Sequence, residues 1–178
     1  MEASFSICST PDGPFSVIAT TEAVIASGWV SRCDELVTLI HPSLRPSSIS
    51  EQPHRFLTTT LDAVSAYYQG DLEAPSLIEV HQMGGPFFQQ VWQVLRGVKV
   101  GEIISYSELA VRAGRPKAVR AAGSACATNA VALFVPCHRI VRADGRWGGF
   151  GYGLAVKQSL VDRESQGGGN PGFHVSIE

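Results

Sequence analysis

Over residues 1–30 the apolar positions fall into short β-rich runs at 5–9, 15–19 and 23–30. Pro11-Asp12-Gly13-Pro14 is a strong turn between the first two, and residues 20–22 supply the next. This pattern predicts an antiparallel meander. Residues 32–40 read as a short helix stopped near His41-Pro42, and the Pro- and Ser-rich stretch 42–53 reads as a loop. Leu57, Leu61, Val64 and Tyr68 then share one helical face, with Gly70 as the stop. Residues 72–85 have weak periodicity and end in Gly84-Gly85-Pro86, which divides a first module, 1–85, from a second, 86–178.

The second module opens with a stripe of Phe87, Phe88, Val91, Trp92, Leu95 and Val98, an amphipathic helix. Ser105 followed by Glu108 fits a capping box that opens a short helix over 106–113. Gly114-Arg115-Pro116 breaks it. Pro116 at or near the first position starts another helix, 117 to about 127. Helix, glycine-containing turn, helix is the helix-turn-helix pattern. Two short apolar runs, 131–135 and 140–141, read as buried strands on either side of Pro136-Cys137-His138-Arg139. Asp144-Gly145 is a turn. The stretch 147–153 interleaves four glycines with aromatics, a loop whose backbone can approach a ligand closely. A final helix, 154 to about 163, buries Leu160 and Val161 and brings Glu164 to its end; a flexible Gly-rich tail is expected from about 167.

Composition alters this picture little. A chain of 178 residues with 44% hydrophobic and 17% charged residues is an ordinary globular protein with a sizeable core. No apolar run reaches membrane-spanning length, and Met1 to Thr10 has no basic leader. Charge alters it more. Residues 1–85 set three arginines against ten Asp and Glu, whereas 86–178 set eleven Lys and Arg against six Asp and Glu. Within 112–146, seven cations are opposed in that window only by Asp144. Such asymmetry suggests that the second module faces a polyanion, although a merely solvated basic surface gives the same pattern. The second helix of the pair carries Lys117 and Arg120, then the small residues Ala121, Ala122, Gly123, Ser124 and Ala125. That face suits either a nucleic-acid groove or tight helix packing.

The candidate chemistry centres on Cys137. It falls at a bend between buried segments, on a loop held by packed structure. A thiol reacts as its thiolate, and His138 is an adjacent base, Arg139 a nearby cation. The alternative is a small buried hydrophobe with no chemistry. The other cysteines, Cys8, Cys33 and Cys126, form no C-x-x-C pair and no disulfide framework, in keeping with a reducing cytoplasm.

Pro136-Cys137-His138-Arg139, with Asn129 upstream, the helix containing Arg120, and Glu164, resembles the O6-alkylguanine-DNA alkyltransferases. The stretch 117–126 is especially similar to the alkyltransferase half of the bacterial adaptive-response protein. The resemblance implies an α+β fold: an N-terminal ribonuclease H-like module with a small antiparallel sheet and helices, and a mostly helical, winged helix-turn-helix-like module carrying the site. It implies irreversible, single-turnover transfer of an alkyl group from O6-alkylguanine, and less directly O4-alkylthymine, in duplex DNA to Cys137 after nucleotide flipping. His138 would take the thiol proton through a water, and Glu164 would hold the imidazole. Asn129 resembles a hinge between recognition helix and reactive loop. Tyr106 resembles the residue that contacts the flipped nucleotide and helps guanine leave. Arg120 resembles the finger that fills the vacated stack, with Lys117, Ala121 and Ser124 on the same DNA-facing helix. Ile140, Phe150, Gly151 and Cys126 would line the guanine pocket, the carbonyls of Cys137 and Ile140 reading the exocyclic amine.

The chain departs from the family pattern at three places. Ala130 follows Asn129 where many relatives have proline, Ser124 stands where some have glycine, and Phe150 where tyrosine is common. Some relatives bind zinc in the first module; Cys8, Cys33, His41 and His81 lack zinc spacing, so no metal and no cofactor are expected. The expected partner is duplex DNA, with no membrane, and the protein a monomer. Two other readings stand beside this one. A lesion sensor or helix-turn-helix module would bind DNA without transfer, although such sensors lack the acceptor cysteine. A Cys-His hydrolase would need an oxyanion hole and turnover.

Overall fold

The computed structural model describes residues 1–167. The Gly-rich tail expected from about residue 167 lies outside the described residues. The chain divides into two compact units. One comprises Met1–Met83 with Ala130–Phe134, the other Gly84–Asn129 with the described residues from Val135 onward.

The first unit is built on strands β1 (Glu2–Thr10), β2 (Gly13–Ala19) and β3 (Val24–Gly28). They form the expected antiparallel meander, with Thr10 facing Gly13 at the first turn. β2 is buried from Phe15 to Ala19 on both faces, so its side chains form a continuous run rather than an alternating one. Helix α1 (Cys33–Val37) is shorter than predicted and places Leu36 in the core with Ile18, Ile25 and Ile40. Helix α2 (Arg55–Tyr68) is capped by His54, whose Nδ1 accepts from Leu57 N–H, and stops at Gly70 with φ +110°. Its buried face is rotated from the predicted stripe, with Thr60, Ala63 and Tyr67 inside beside Leu57 and Val64. Tyr68 sits at the edge, where its hydroxyl accepts from Trp29 Nε1 at 3.0 Å and donates to Asp12 at 2.7 Å.

Two expectations are corrected here. Within the predicted loop lies a short strand, β4 (Ser48–Ser50), parallel to β1, so the sheet order is β3-β2-β1-β4 and one pairing is parallel. Three residues of Ser-Ile-Ser are too few to show a period. The apolar run 131–135 is not a strand. Only Val131 bridges to Ser27, and the chain then turns with Leu133 at φ +73°. Here and at Ala130 the backbone groups find separate partners. Ser27 N–H donates to the Ala130 carbonyl at 2.9 Å, Ser27 Oγ to the Ala132 carbonyl at 2.8 Å, and Ala130 N–H to Gln82 Oε1 at 3.0 Å.

The second unit is mainly helical: α3 (Pro86–Gly97), α4 (Tyr106–Arg112), α5 (Val119–Ala127) and α6 (Leu154–Gly167). A two-residue strand β5 (Ile104–Ser105) pairs in parallel with β6 (Ile140–Val141). Ser105 caps α4 by accepting from Glu108 N–H at 3.1 Å; the Glu108 carboxylate turns to Arg112 rather than back to the cap. α5 starts two residues later than expected. Pro116 and Lys117 form a turn, and Ala118 is the N-cap. α3 buries Val91, Trp92 and Leu95, while Phe87 stays half-buried beneath the Arg115 guanidinium, 5.4 Å from its ring centre. Trp92 Nε1 donates to the Ala125 carbonyl at 2.9 Å, locking α3 to α5. Among the described residues no helix is long and apolar enough to cross a membrane.

Gly84 makes that lock possible. A Cβ there would lie 2.7 Å from the Trp92 ring, whereas one at Gly85 would meet nothing within 4 Å. The indole is held by its hydrogen bond and cannot give way freely. Gly84→Ala is therefore expected to cost about 1–3 kcal/mol, the usual range for overpacking. Gly85→Ala should be close to neutral. Urea unfolding of the two variants side by side checks this.

Candidate active site

The Pro136-Cys137-His138-Arg139 segment forms one 3-10 turn, Cys137–Arg139, between the Leu133 turn and β6. Cys137 has one partner, and the next two side chains share another. Cys137 is half-buried, and its Sγ lies 3.3 Å from Asn129 Nδ2. Asn129 stands just past the end of α5 and also donates to the Val135 carbonyl at 2.9 Å. Its own N–H bonds the Cys126 carbonyl at 3.3 Å. One residue thus ties the helix end, the approach to the turn and the thiol together.

His138 is fully buried, and its Nε2 lies 2.7 Å from Glu164 Oε1. Arg139, also buried, completes the group. Its Nε donates to Glu164 Oε2 at 2.9 Å, Nη2 to Oε1 at 3.1 Å and Nη1 to the Val98 carbonyl at 2.6 Å. Arg139 therefore neutralises Glu164 and is not a partner of the thiol. Glu164 itself is 1% exposed and lies inside α6, which runs one turn further than predicted. Burial pushes its carboxyl up, but His138 and Arg139 more than offset this and hold it at about 2. Burial, opposed by Glu164, draws the His138 imidazole down, so the ring is neutral. Its Nδ1 is buried with no hydrogen-bond partner among the described residues. A neutral imidazole with one nitrogen fixed by a carboxylate and the other unengaged is a base awaiting a proton. Burial pushes the Cys137 thiol up, while Asn129 and then Lys157 pull it back down.

Lys157 is the residue that sequence reasoning missed. It lies in α6 seven positions before Glu164, fully buried, with Nζ donating at 2.6 Å to both the Ile140 and Trp147 carbonyls. Nothing in the apolar pattern around it singles it out; only its i, i+7 spacing from Glu164 could have flagged it.

The remaining predicted residues fall into two groups. Tyr106 opens α4 half-buried, its hydroxyl pushed up to about 12 by burial and by Cys126 and Cys137. Cys126 lies on α5, with its thiol raised by burial and by Cys137. These two and Ile140 gather around the Cys137 turn. Gly148, at φ +69°, lies so close to Tyr106 that a Cβ would come within 3.1 Å of the ring. The Ile140 side chain is in the core, and its carbonyl already accepts from Lys157. Phe150 packs edge to face on Tyr152 with ring centres 5.7 Å apart, and Gly151 is exposed beside it. Lys117, Arg120 and Ser124 are exposed on and before α5, with Ala121 half-buried. Tyr106, Arg120, Gly123 and Arg142 line a groove of about 440 Å³ between α4, α5 and the turn after β6. Among the described residues no three metal-ligating side chains converge.

The Glu164 cluster sets a stability test. Glu164→Ala leaves Arg139 buried without its carboxylate and is expected to cost about 3–5 kcal/mol. For a depressed carboxyl, stability is complete above the ordinary value of 4.5 and is lost as pH falls toward about 2. His138, held neutral, adds loss in the same direction below 6.5. Denaturant titrations at several acidic pH values should show a smaller decline for Glu164→Gln than for the wild type below pH 4.5.

Known proteins resemble this chain over most of its length. The family model described as "6-O-methylguanine DNA methyltransferase, DNA binding domain" matches residues 86–166. The bifunctional transcriptional activator/DNA repair enzyme Ada of Escherichia coli is 46% identical over 94 residues, 53% of this chain and 27% of Ada, so the match spans about a quarter of that relative. A methylated-DNA–protein-cysteine methyltransferase of Salmonella typhimurium is 30% identical over 156 residues, covering 87% of this chain and 91% of that protein. The crystal structure of Mycobacterium tuberculosis O6-methylguanine methyltransferase superposes with a TM-score of 0.74 at 26% identity, covering 93% of this chain and 94% of the other. The same enzyme solved in complex with DNA gives 0.72. With a whole relative matched almost from end to end and the same α+β architecture, the chain belongs to the methylated-DNA–protein-cysteine methyltransferase family.

Proposed function

We propose that this protein repairs duplex DNA by moving the alkyl group of O6-alkylguanine onto Cys137, once per molecule. The observation that carries the reading is the Cys137 turn: a thiol held by Asn129 at 3.3 Å, next to a neutral His138 fixed at 2.7 Å on Glu164. The thiol proton passes through a water to His138 Nδ1, the nitrogen with no protein partner among the described residues. Glu164 stabilises the imidazolium that forms. The thiolate displaces guanine from the alkyl carbon, and the Tyr106 hydroxyl, kept protonated by its raised pKa, helps the base leave. The product is a thioether, which water does not reverse, so transfer is irreversible and stoichiometric. O4-alkylthymine presents the same kind of alkyl carbon.

The alkyl carbon is buried in the base stack, so the nucleotide must flip out, at a cost of a few kcal/mol. Arg120, exposed on the rim of the groove, fills the vacated space, and Lys117 with Ser124 and Ala121 brings α5 against the duplex. The flipped guanine lies by Cys126, Ile140, Phe150 and Gly151, with the second lone pairs of the Cys137 and Ile140 carbonyls reading its amine. The module 86–178 carries DNA binding and transfer, and 1–85 supports it structurally. The protein acts as a monomer in the cytoplasm, where it meets DNA.

Intact-mass spectrometry before and after incubation with methylated duplex tests transfer. One hydrogen should be exchanged for one methyl per molecule, located on Cys137 by peptide mapping. Cys137→Ser should bind the duplex and gain no mass. Methyl on Cys126, Cys33 or Cys8 would overturn the assignment.

Arg120 separates a wedge from a phosphate contact. Arg120→Ala should slow transfer strongly from paired duplex, less from a mismatched duplex and hardly at all from free O6-benzylguanine, because only a stacked, paired base leaves a hole to fill. A loss limited to binding, shared by undamaged duplex and with a reduced salt slope, would mark a phosphate contact instead. Single-turnover kinetics on the three substrates decide between them.

A further inference from the structure

Lys157 has no task in the mechanism above, yet few residues are harder to bury. It is 0% exposed, and both of its hydrogen bonds at 2.6 Å go to neutral carbonyls, those of Ile140 and Trp147. A buried ammonium without an anion is strongly unfavourable. The neighbouring carboxylate does not supply one, since Glu164 is engaged by His138 and Arg139. The titratable groups coupled to Lys157 through charge are Cys137 and Cys126, whose anionic forms favour its charge, and His138, whose proton its charge resists. Burial draws the Lys157 ammonium down to about 8, with Cys137 and Cys126 holding it up. Of the two thiols, only Cys137 has a hydrogen bond that favours its anion, from Asn129.

We propose that Lys157 is a positioning residue for alkyl transfer: it pins the Ile140 carbonyl and the Trp147 loop beside the reactive turn, and its ammonium is the counter-charge of the Cys137 thiolate. The proposal rests on Cys137 being the acceptor. When the Cys137 proton leaves for His138, the thiolate balances the ammonium. When Sγ takes the alkyl group it becomes a neutral thioether, and the balance is lost. Lys157 is thus coupled to the state of a sulfur it does not touch.

The test reads the thiolate without DNA. Lys157→Met keeps the length and the apolar stem and removes the charge. The rate of Cys137 alkylation by iodoacetamide, followed by intact mass across pH, should shift its midpoint upward by about one unit or more, and so fall about tenfold near neutrality. Transfer from free O6-benzylguanine should fall in parallel. An unmoved midpoint with a uniformly slower rate would overturn the counter-charge. A second measurement needs no variant. In the full chain labelled with 13C-lysine, the Lys157 Cε resonance should titrate below the ordinary lysine range, and lower still after iodoacetamide caps Cys137. A titration that capping leaves unchanged would also overturn the proposal. Should methylated duplex prove not to be a substrate, both readouts still stand, because iodoacetamide reports the thiolate whatever the protein repairs.

Discussion

The Cys137–Arg139 turn depends on a single carboxylate. Glu164 sits almost wholly out of water and meets His138 on one oxygen and Arg139 on both. Each of these three groups would be costly to bury alone. Together they satisfy one another, and the arrangement fixes two consecutive side chains of the turn from one point on α6. The histidine ring cannot rotate, its tautomer is set by the carboxylate, and the arginine anchors the turn to the end of α3 through the Val98 carbonyl. The turn is thereby tied to α6 and to the end of α3.

Much of this was legible in the sequence, for physical reasons that differ from place to place. The meander was readable because Pro11-Asp12-Gly13-Pro14 is a turn by its own chemistry, independent of context. The Ser105 cap was readable because capping is local. The stretch 131–135 was misread because burial and strand leave the same apolar signature. What separates them is where the backbone bonds go, and here they go to Ser27 and Gln82, far away in sequence. The pairing of His138 with Glu164 came through resemblance. Arg139 was placed next to the thiol by adjacency, but its guanidinium is taken by Glu164 and the Val98 carbonyl. Lys157 was invisible because a buried lysine reads like an exposed one until the carbonyls around it are known.

The basic window also looks different once partners are assigned. Arg112 is held by Glu102 and Glu108, Arg139 by Glu164, and Arg142 and Arg146 by Asp144. Among the described residues, Arg115, Lys117 and Arg120 have no ion pair, and all three lie in the turn before α5 or on its first residues. Within this window the cations without an ion pair are therefore gathered on one short stretch. A polyanion meeting this surface finds its field where the small-residue face of α5 begins.

The excursion of Ala130–Phe134 into the first unit has a consequence for how the chain acquires its shape. The bond from Ser27 to Ala132 spans 105 residues, a contact of high order. Non-local closures are slow because loop entropy is lost before the contact forms. During synthesis the meander emerges first, and its partner segment follows only after α3, α4 and α5 have been made. Asn129 and Val135 flank that segment, and both belong to the amide link that holds the Cys137 thiol. The Asn129–Cys137 contact thus joins residues on either side of a segment whose own partner, Ser27, lies far back in the chain.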